Sequence, residues 1–269
     1  VNDSNRPLLE RAREALGERT GATSYLAELI THAPTRQAFE QMLGPRAVAQ
    51  LLEELVTPRL QDFFVRRRRR WQADWGRLLL SQGYKQGLRW RGIALGKTSY
   101  DTCIQQQLIA ELRPATIIEF GTGYGASALF YLDQCRALGI DTRIITMDIG
   151  ASYVSEQLAA EPDIEFIHGD AARVSELLPA SRLATLPHPW LVVEDCHEHV
   201  AVIVQHLHGL LHAGDYLIIE DIGLAPAGMA VVEQVMGQLP AGSLAVDTAW
   251  TDMFGYNMTC APDAILRKC

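Results

Sequence analysis

The chain has 269 residues, 48% of them apolar and 21% charged, with a formal net charge of −8. That length holds one large domain, or one domain with an appendage, and the acidic balance speaks against a nucleic-acid partner. No apolar run approaches the length of a membrane span and the N-terminus lacks a signal-peptide core, so no membrane partner is expected.

Residues 1–85 contain no convincing strand. Leu8, Leu9, Ala12, Ala15 and Leu16 recur at helical spacing, as do Tyr25, Leu26, Leu29 and Ile30 before Pro34, and the stretch Ala47 to Leu55 ahead of Pro58. Four or five helices are expected there. Such a helical N-terminal region suits a lid, an oligomer interface, a docking module or a plain structural extension, and a homo-oligomer is expected. Within it, Arg66 to Arg70 form an unbroken basic run. The run is short and the chain acidic, so it reads as a solvated helix whose arginines pair with carboxylates, in preference to a phosphate-binding patch.

Residues 84–101 read as an extended loop, in which Gly92 and Gly96 flank a short apolar stretch and Lys97 follows. A helix is expected from Asp101 to Leu112, with Ile104, Leu108, Ile109 and Leu112 on one face and Pro114 as its stop. From there strands and helices alternate. Strands are expected at 116–120, 143–147, 164–167, 190–193 and 216–219, with helices at 126–138, from 154, 171–178, 200–211 and 229–239. Two further strand-like runs, 254–260 and 264–268, are joined by Pro262 and Asp263. Near-continuous apolar strands joined by helices mean a parallel sheet covered on both faces. The expectation is an α/β, Rossmann-like fold over residues 86–269: a mostly parallel seven-stranded sheet with an antiparallel C-terminal edge hairpin. The five cysteines, Cys103, Cys135, Cys196, Cys260 and Cys269, are scattered and form no C-x-x-C pair. That argues for a reducing, cytoplasmic compartment and against structural zinc.

In open sheets of this kind ligands sit beyond the carboxyl ends of the strands. Acids cluster there: Glu119, Asp148, Asp170, Asp195, Glu220 and Asp221. Strand one runs into Glu119-Phe-Gly121-Thr-Gly123-Tyr124-Gly125, then Ala126 and Ser127. The glycines are one residue tighter than a dinucleotide fingerprint, and an acid precedes them. A pyrophosphate would be repelled by that carboxylate. S-adenosylmethionine carries no phosphate, and its ammonium and sulfonium suit an acidic rim, while the N–H groups at the helix start can take its carboxylate. Asp148 is placed at the ribose diol and Asp170 at adenine, with Ile149 and Ala171 also in the expected cofactor set; helix capping is the competing role for both acids. Asp195, Glu220 and Asp221 end adjacent strands and would repel one another without a cation. Oxygen ligands favour Mg²⁺, Ca²⁺ or Mn²⁺, and such an ion would lower the pKa of an acceptor oxygen; binding substrate amines or capping helices is the competing role for these acids. His197, two residues past Asp195, is the candidate general base. Cys196 reads as structural.

Taken together, Trp90-Arg-Gly92, Lys97, Asp101, Glu111 through Gly121, Asp195-Cys-His197 and Gly214 through Asp221 resemble the cephalosporin hydroxylase and rhamnosyl O-methyltransferase family of class I methyltransferases. The resemblance spans about residues 84–268. It implies an antibiotic or glycolipid tailoring enzyme that methylates a sugar hydroxyl or glycosylated precursor, with N-methylation of an amino sugar as the alternative. A cofactor-binding accessory protein and a nicotinamide-dependent enzyme are the readings from other classes. By the same resemblance Asp195, Glu220 and Asp221 match magnesium-site acids, His197 and Asp195 act in catalysis, and the Gly92–Lys97 loop closes over the methionyl part of the cofactor. Tyr124, Ser127 and Asp195 complete the expected cofactor set.

Overall fold

The computed structural model describes residues 59–67, 87–222, 226–255 and 257–269, with scattered positions between 34 and 49. The chain divides into two units at Pro58/Arg59. In the first, the described positions Pro34, Gln37, Ala38, Glu40, Gln41, Val48 and Ala49 are helical. The helices expected over Leu8–Leu16 and Tyr25–Ile30 lie outside the described residues, as does most of the one over Ala47–Leu55.

The second unit begins with β1 (Leu60–Gln61) and α1 (Phe63–Arg67), so residues 59–67 belong with the sheet. A small hairpin follows, β2 (Arg89–Trp90) against β3 (Ile93–Ala94), where the sequence suggests a plain loop. Then come α2 (Ser99–Leu112), β4 (Thr116–Phe120), α3 (Ala126–Ala137), β5 (Arg143–Asp148), α4 (Glu156–Ala159) and β6 (Ile164–His168). A 3₁₀ turn at Ala171–Arg173 leads into α5 (Val174–Leu177) and α6 (Ala180–Leu183). The chain closes with β7 (Trp190–Glu194), α7 (Val200–His208), β8 (Tyr216–Ile219), α8 (Pro226–Gln238), β9 (Leu244–Asp247), α9 (Thr248–Thr251) and β10 (Ile265–Lys268).

Among the described residues, one sheet holds eight strands in the order β1-β9-β10-β8-β7-β4-β5-β6. The five strands β6, β5, β4, β7 and β8 run parallel, as the apolar runs require: every residue of β4, β7 and β8 is buried. The α/β, mostly parallel architecture matches expectation, and three details differ. The antiparallel strand β10 lies between β8 and β9. Its hairpin partner is Leu244–Asp247 and not Phe254–Cys260. Finally, β1 adds an eighth strand by pairing with β9.

The reason for the second difference is local. Asn257 and Asp263 both take positive φ, which breaks an extended run, and the side chains of this segment are drawn into a charge cluster around Arg66. That arginine is fully buried. Its Nη1 and Nη2 donate to the two oxygens of Asp252 at 2.9 Å each, its Nε to Asp263 Oδ1 at 2.5 Å, and its Nη2 also to Asn257 Oδ1 at 3.1 Å. At this position the basic run is therefore paired with carboxylates, as read, but inside the protein and not in solvent. Arg66→Met is expected to destabilise the fold by about 3–5 kcal/mol, since it strands Asp263 and Asp252 without a countercharge. Urea unfolding checks this, and Arg66→Lys should recover only part of the loss because an ammonium lacks the planar fork.

Candidate active site

Hydrogen bonding continues one step past each central strand. Gly121 N donates to Met147 O at 2.9 Å, Asp195 N to Phe120 O at 2.8 Å and Glu220 N to Glu194 O at 2.8 Å. The first residue beyond β4, β7 and β8 is thus held in register, and the glycine turn and the acids are brought side by side. A cavity of about 440 Å³ opens there. Its walls come from the loop Ala94–Gly96, the turn at Gly121, Gly123 and Tyr124, the ends of β5 and β6, and the segment around Asp195, Cys196 and His199.

The glycines have distinct reasons. Gly121 has φ +97, and a Cβ on it would fall 2.4 Å from the carbonyl oxygen of Asp195. Gly123 also has positive φ, but a Cβ there would meet open space; its N–H donates to Asp148 Oδ2 at 2.9 Å. Asp148 further accepts from Gly150 N and from the Tyr153 hydroxyl, each at 2.8 Å. This acid braces the glycine turn. Asp170 caps the 3₁₀ turn through Ala172 N at 2.8 Å while also lining the cavity. His199 Nε2 stands 3.7 Å from its Oδ1.

Glu119 is fully buried beneath the turn. Its Oε2 accepts from Thr146 Oγ1 at 2.6 Å, whereas Oε1 has no hydrogen-bond partner among the described residues. Burial pushes its pKa up to about 7, against the opposing charge of Lys97 and the hydroxyls of Ser127 and Thr146.

Next to the cavity, one ligand atom each from Asp195, His197 and Asp221 lies within 4.8 Å of the other two. His197 Nε2 is 3.6 Å from Asp195 Oδ1 and 3.7 Å from Asp221 Oδ2, too long for a hydrogen bond. His197 and Asp221 both adopt positive φ. The turn that presents His197 is held by Glu194, whose Oε1 accepts from Cys196 N at 3.1 Å and from His197 N at 3.0 Å. The Cys196 thiol also points to Glu194, at 3.0 Å. Burial, with that carboxylate beside it, pushes the thiol far above its ordinary pKa and so disfavours the thiolate.

Lys97 enters this cluster from the side. Its Nζ is 2.7 Å from Glu220 Oε2 and 3.1 Å from Asp195 Oδ2. Burial disfavours the ammonium, but the Asp195 and Glu220 carboxylates outweigh it and hold the Lys97 pKa above the usual value. The other oxygen of Glu220 accepts from Gln105, which in turn accepts from the Tyr131 hydroxyl at 3.1 Å.

Of the residues singled out from sequence, the structure brings Gly121, Gly123, Tyr124, Ser127, Asp148, Ile149, Asp170, Ala171 and Asp195 to the cavity wall. Gly92 sits in the β2–β3 turn, and neither it, Glu119 nor Lys97 lines the cavity. Asp195 and Asp221 converge with His197, while Glu220 turns toward Lys97 and Gln105. Sequence reading missed Gln105, Thr146 and Glu194. Gln105 carried a signal: with Asp101 it is a polar pair at i, i+4 buried in the same face of α2 as Ile104 and Leu108.

The sequence model of the family described as Rhamnosyl O-methyltransferase/CmcI matches residues 82–238. Rhamnosyl O-methyltransferase of Mycobacterium tuberculosis is 27% identical over 191 residues, covering 66% of this chain and 76% of the relative. That of Mycobacterium leprae is 30% identical over 139 residues, covering 50% of this chain and 60% of the relative. Among solved structures, CmcI with Mg and SAM superposes with a TM-score of 0.59 at 22% identity, covering 82% of this chain and 95% of that one. CmcI with SAH gives a TM-score of 0.55 at 25% identity, covering 74% and 93%. With the family's sequence model matching more than half its length, over the very strands, glycine turn and acids that build the cavity, the chain belongs to the Rhamnosyl O-methyltransferase/CmcI family.

Proposed function

We propose that this protein transfers the methyl group of S-adenosylmethionine to a hydroxyl of a sugar or glycosylated secondary metabolite. The observation that carries this reading is that Asp195 belongs to two places at once: it lines the cavity behind the glycine turn and it is one corner of the Asp195–His197–Asp221 cluster. A donor seated in the cavity therefore has its reactive end beside groups able to act on an acceptor. Membership of a family named for rhamnosyl O-methylation supports the acceptor class.

Within this reading the cavity binds the donor, and its methyl is transferred in line, so positioning supplies much of the acceleration. Glu119, buried below the turn and outside the cavity wall, would act on the donor's ammonium through the field of its carboxylate and through Ser127, which does line the cavity. Asp148 and Asp170 suit its ribose and adenine. Asp195 and Asp221 offer hard oxygen ligands, with the His197 imidazole alongside, and fit a divalent cation such as Mg²⁺. Such an ion would supply Lewis acidity, which lowers the pKa of a hydroxyl beside it. Asp195 and Asp221 would hold it; Glu220 would join only if Lys97 released it. His197, half-exposed at the outer side of the cluster, takes the acceptor's proton.

The test is calorimetric titration of S-adenosylmethionine, followed by methyl transfer to methyl α-L-rhamnopyranoside with and without EDTA. Saturable donor binding and chelator-sensitive transfer are expected. No donor binding sinks the reading, and transfer to the sugar that is indifferent to EDTA removes the cation from it.

A further inference from the structure

We propose that Phe254, stacked on Tyr100, is the platform on which the acceptor's neutral sugar ring lies; this rests on the functional reading above. The two rings are 4.7 Å apart and inclined by 22°, a stacked pair. Phe254 remains 42% exposed.

The segment that carries Phe254 is braced from both ends. Asp252 is gripped by the buried Arg66 and also accepts from Asn257 N at 2.9 Å. Asn257 Oδ1 accepts from Arg66 and from Asp263 N at 3.0 Å. Burying a guanidinium with the Asp263 carboxylate is costly unless geometry is satisfied, and here the satisfied geometry fixes the loop that presents a phenyl ring to solvent. A ring held in place before its ligand arrives loses little entropy on binding.

The elements that carry the platform also lead to the acids. Tyr100 lies in the first turn of α2, three residues after Lys97, whose ammonium contacts Asp195 and Glu220. Its neighbour Asp101 accepts from Thr259 Oγ1 and from Cys260 N, tying the Phe254 loop to the start of α2. At its far end the same loop reaches Ala264, whose carbonyl accepts from Ile219 N at 3.1 Å, directly before Glu220 and Asp221.

The chemistry selects the ligand. An aromatic face carries negative charge density. One face of a pyranose offers a row of C–H bonds made electron-poor by the ring and hydroxyl oxygens, and a deoxysugar adds a methyl group. Stacking on that face leaves the hydroxyl edge free to reach Asp195, His197 and Asp221.

The experiment compares wild type, Phe254→Ala, Phe254→Leu and Phe254→Trp with methyl α-L-rhamnopyranoside as acceptor, measuring KM and kcat for the sugar and the calorimetric Kd for S-adenosylmethionine. Phe254→Ala is expected to raise KM for the sugar about tenfold or more, in keeping with the scale of planar-ring stacking. Phe254→Leu should be nearly as impaired, Phe254→Trp close to wild type, and donor affinity the same throughout. An unchanged KM in Phe254→Ala, full recovery by leucine, or a parallel loss of donor binding overturns the platform. Wild-type enzyme that binds donor but methylates no sugar overturns the functional reading and the platform with it.

Discussion

Asp195→Ala is expected to lower kcat/KM for methyl transfer by roughly 10²–10³-fold, the scale of removing one preorganised electrostatic group from an active site. Asp195 is the only residue shared by the cavity wall and the three-residue cluster found among the described residues. Its Oδ2 lies 3.1 Å from Lys97 Nζ and its Oδ1 3.6 Å from His197 Nε2. Truncation removes a corner of the proposed cation site and an anchor of the lysine, while Glu220 at 2.7 Å still holds the ammonium. The fold should therefore survive, and the loss should appear in metal affinity as well as in rate. Titration of Mn²⁺ followed by electron paramagnetic resonance provides the separate readout. Full activity with unaltered Mn²⁺ binding would remove Asp195 from the mechanism.

Gly121→Ala should be the most damaging change in the glycine turn. A Cβ would sit 2.4 Å from the Asp195 carbonyl oxygen and 2.9 Å from Cys196 N, both main-chain atoms that cannot swing aside, and the backbone there has φ +97. Left-handed backbone costs a non-glycine residue about 1–2 kcal/mol, and forcing extra volume into a packed site costs about 1–3 kcal/mol. For a chain of this size such a loss lowers the Tm by about 10 °C. Relief of the clash must push β4 and β7 apart at their ends, which separates the cavity from Asp195, so donor binding should also disappear. Gly123→Ala is the internal comparison. It shares the positive φ but has open space around its Cβ, so it should cost only about 1–2 kcal/mol. Differential scanning calorimetry of the two variants distinguishes backbone strain from the clash; equal losses would refute the close-approach argument.

Much of the parallel half of the sheet was legible in the chain itself. Buried parallel strands are continuous apolar runs, and here Thr116–Phe120 and Tyr216–Ile219 end abruptly at a glycine turn and an acid. Each such boundary is written in a few adjacent residues. The antiparallel part was less legible because its signals are short. Leu244–Asp247 has four residues and Leu60–Gln61 two, too few to show a period, whereas the apolar stretch 254–260 looks extended until Arg66 curls it.

The sequence by itself determined the α/β order, the glycine turn and the set of acids at the strand ends, because these follow from local hydrophobic patterning and from the backbone freedom of glycine. Only the tertiary structure decided how the acids are used. Lys97 meets Asp195 across 98 positions and Glu220 across 123, and Arg66 meets Asp252 across 186. No local pattern encodes such partners. They are selected by which buried charges can neutralise one another once the strands have assembled, and that selection turns Glu220 inward to Lys97 while Asp195 and Asp221 face His197.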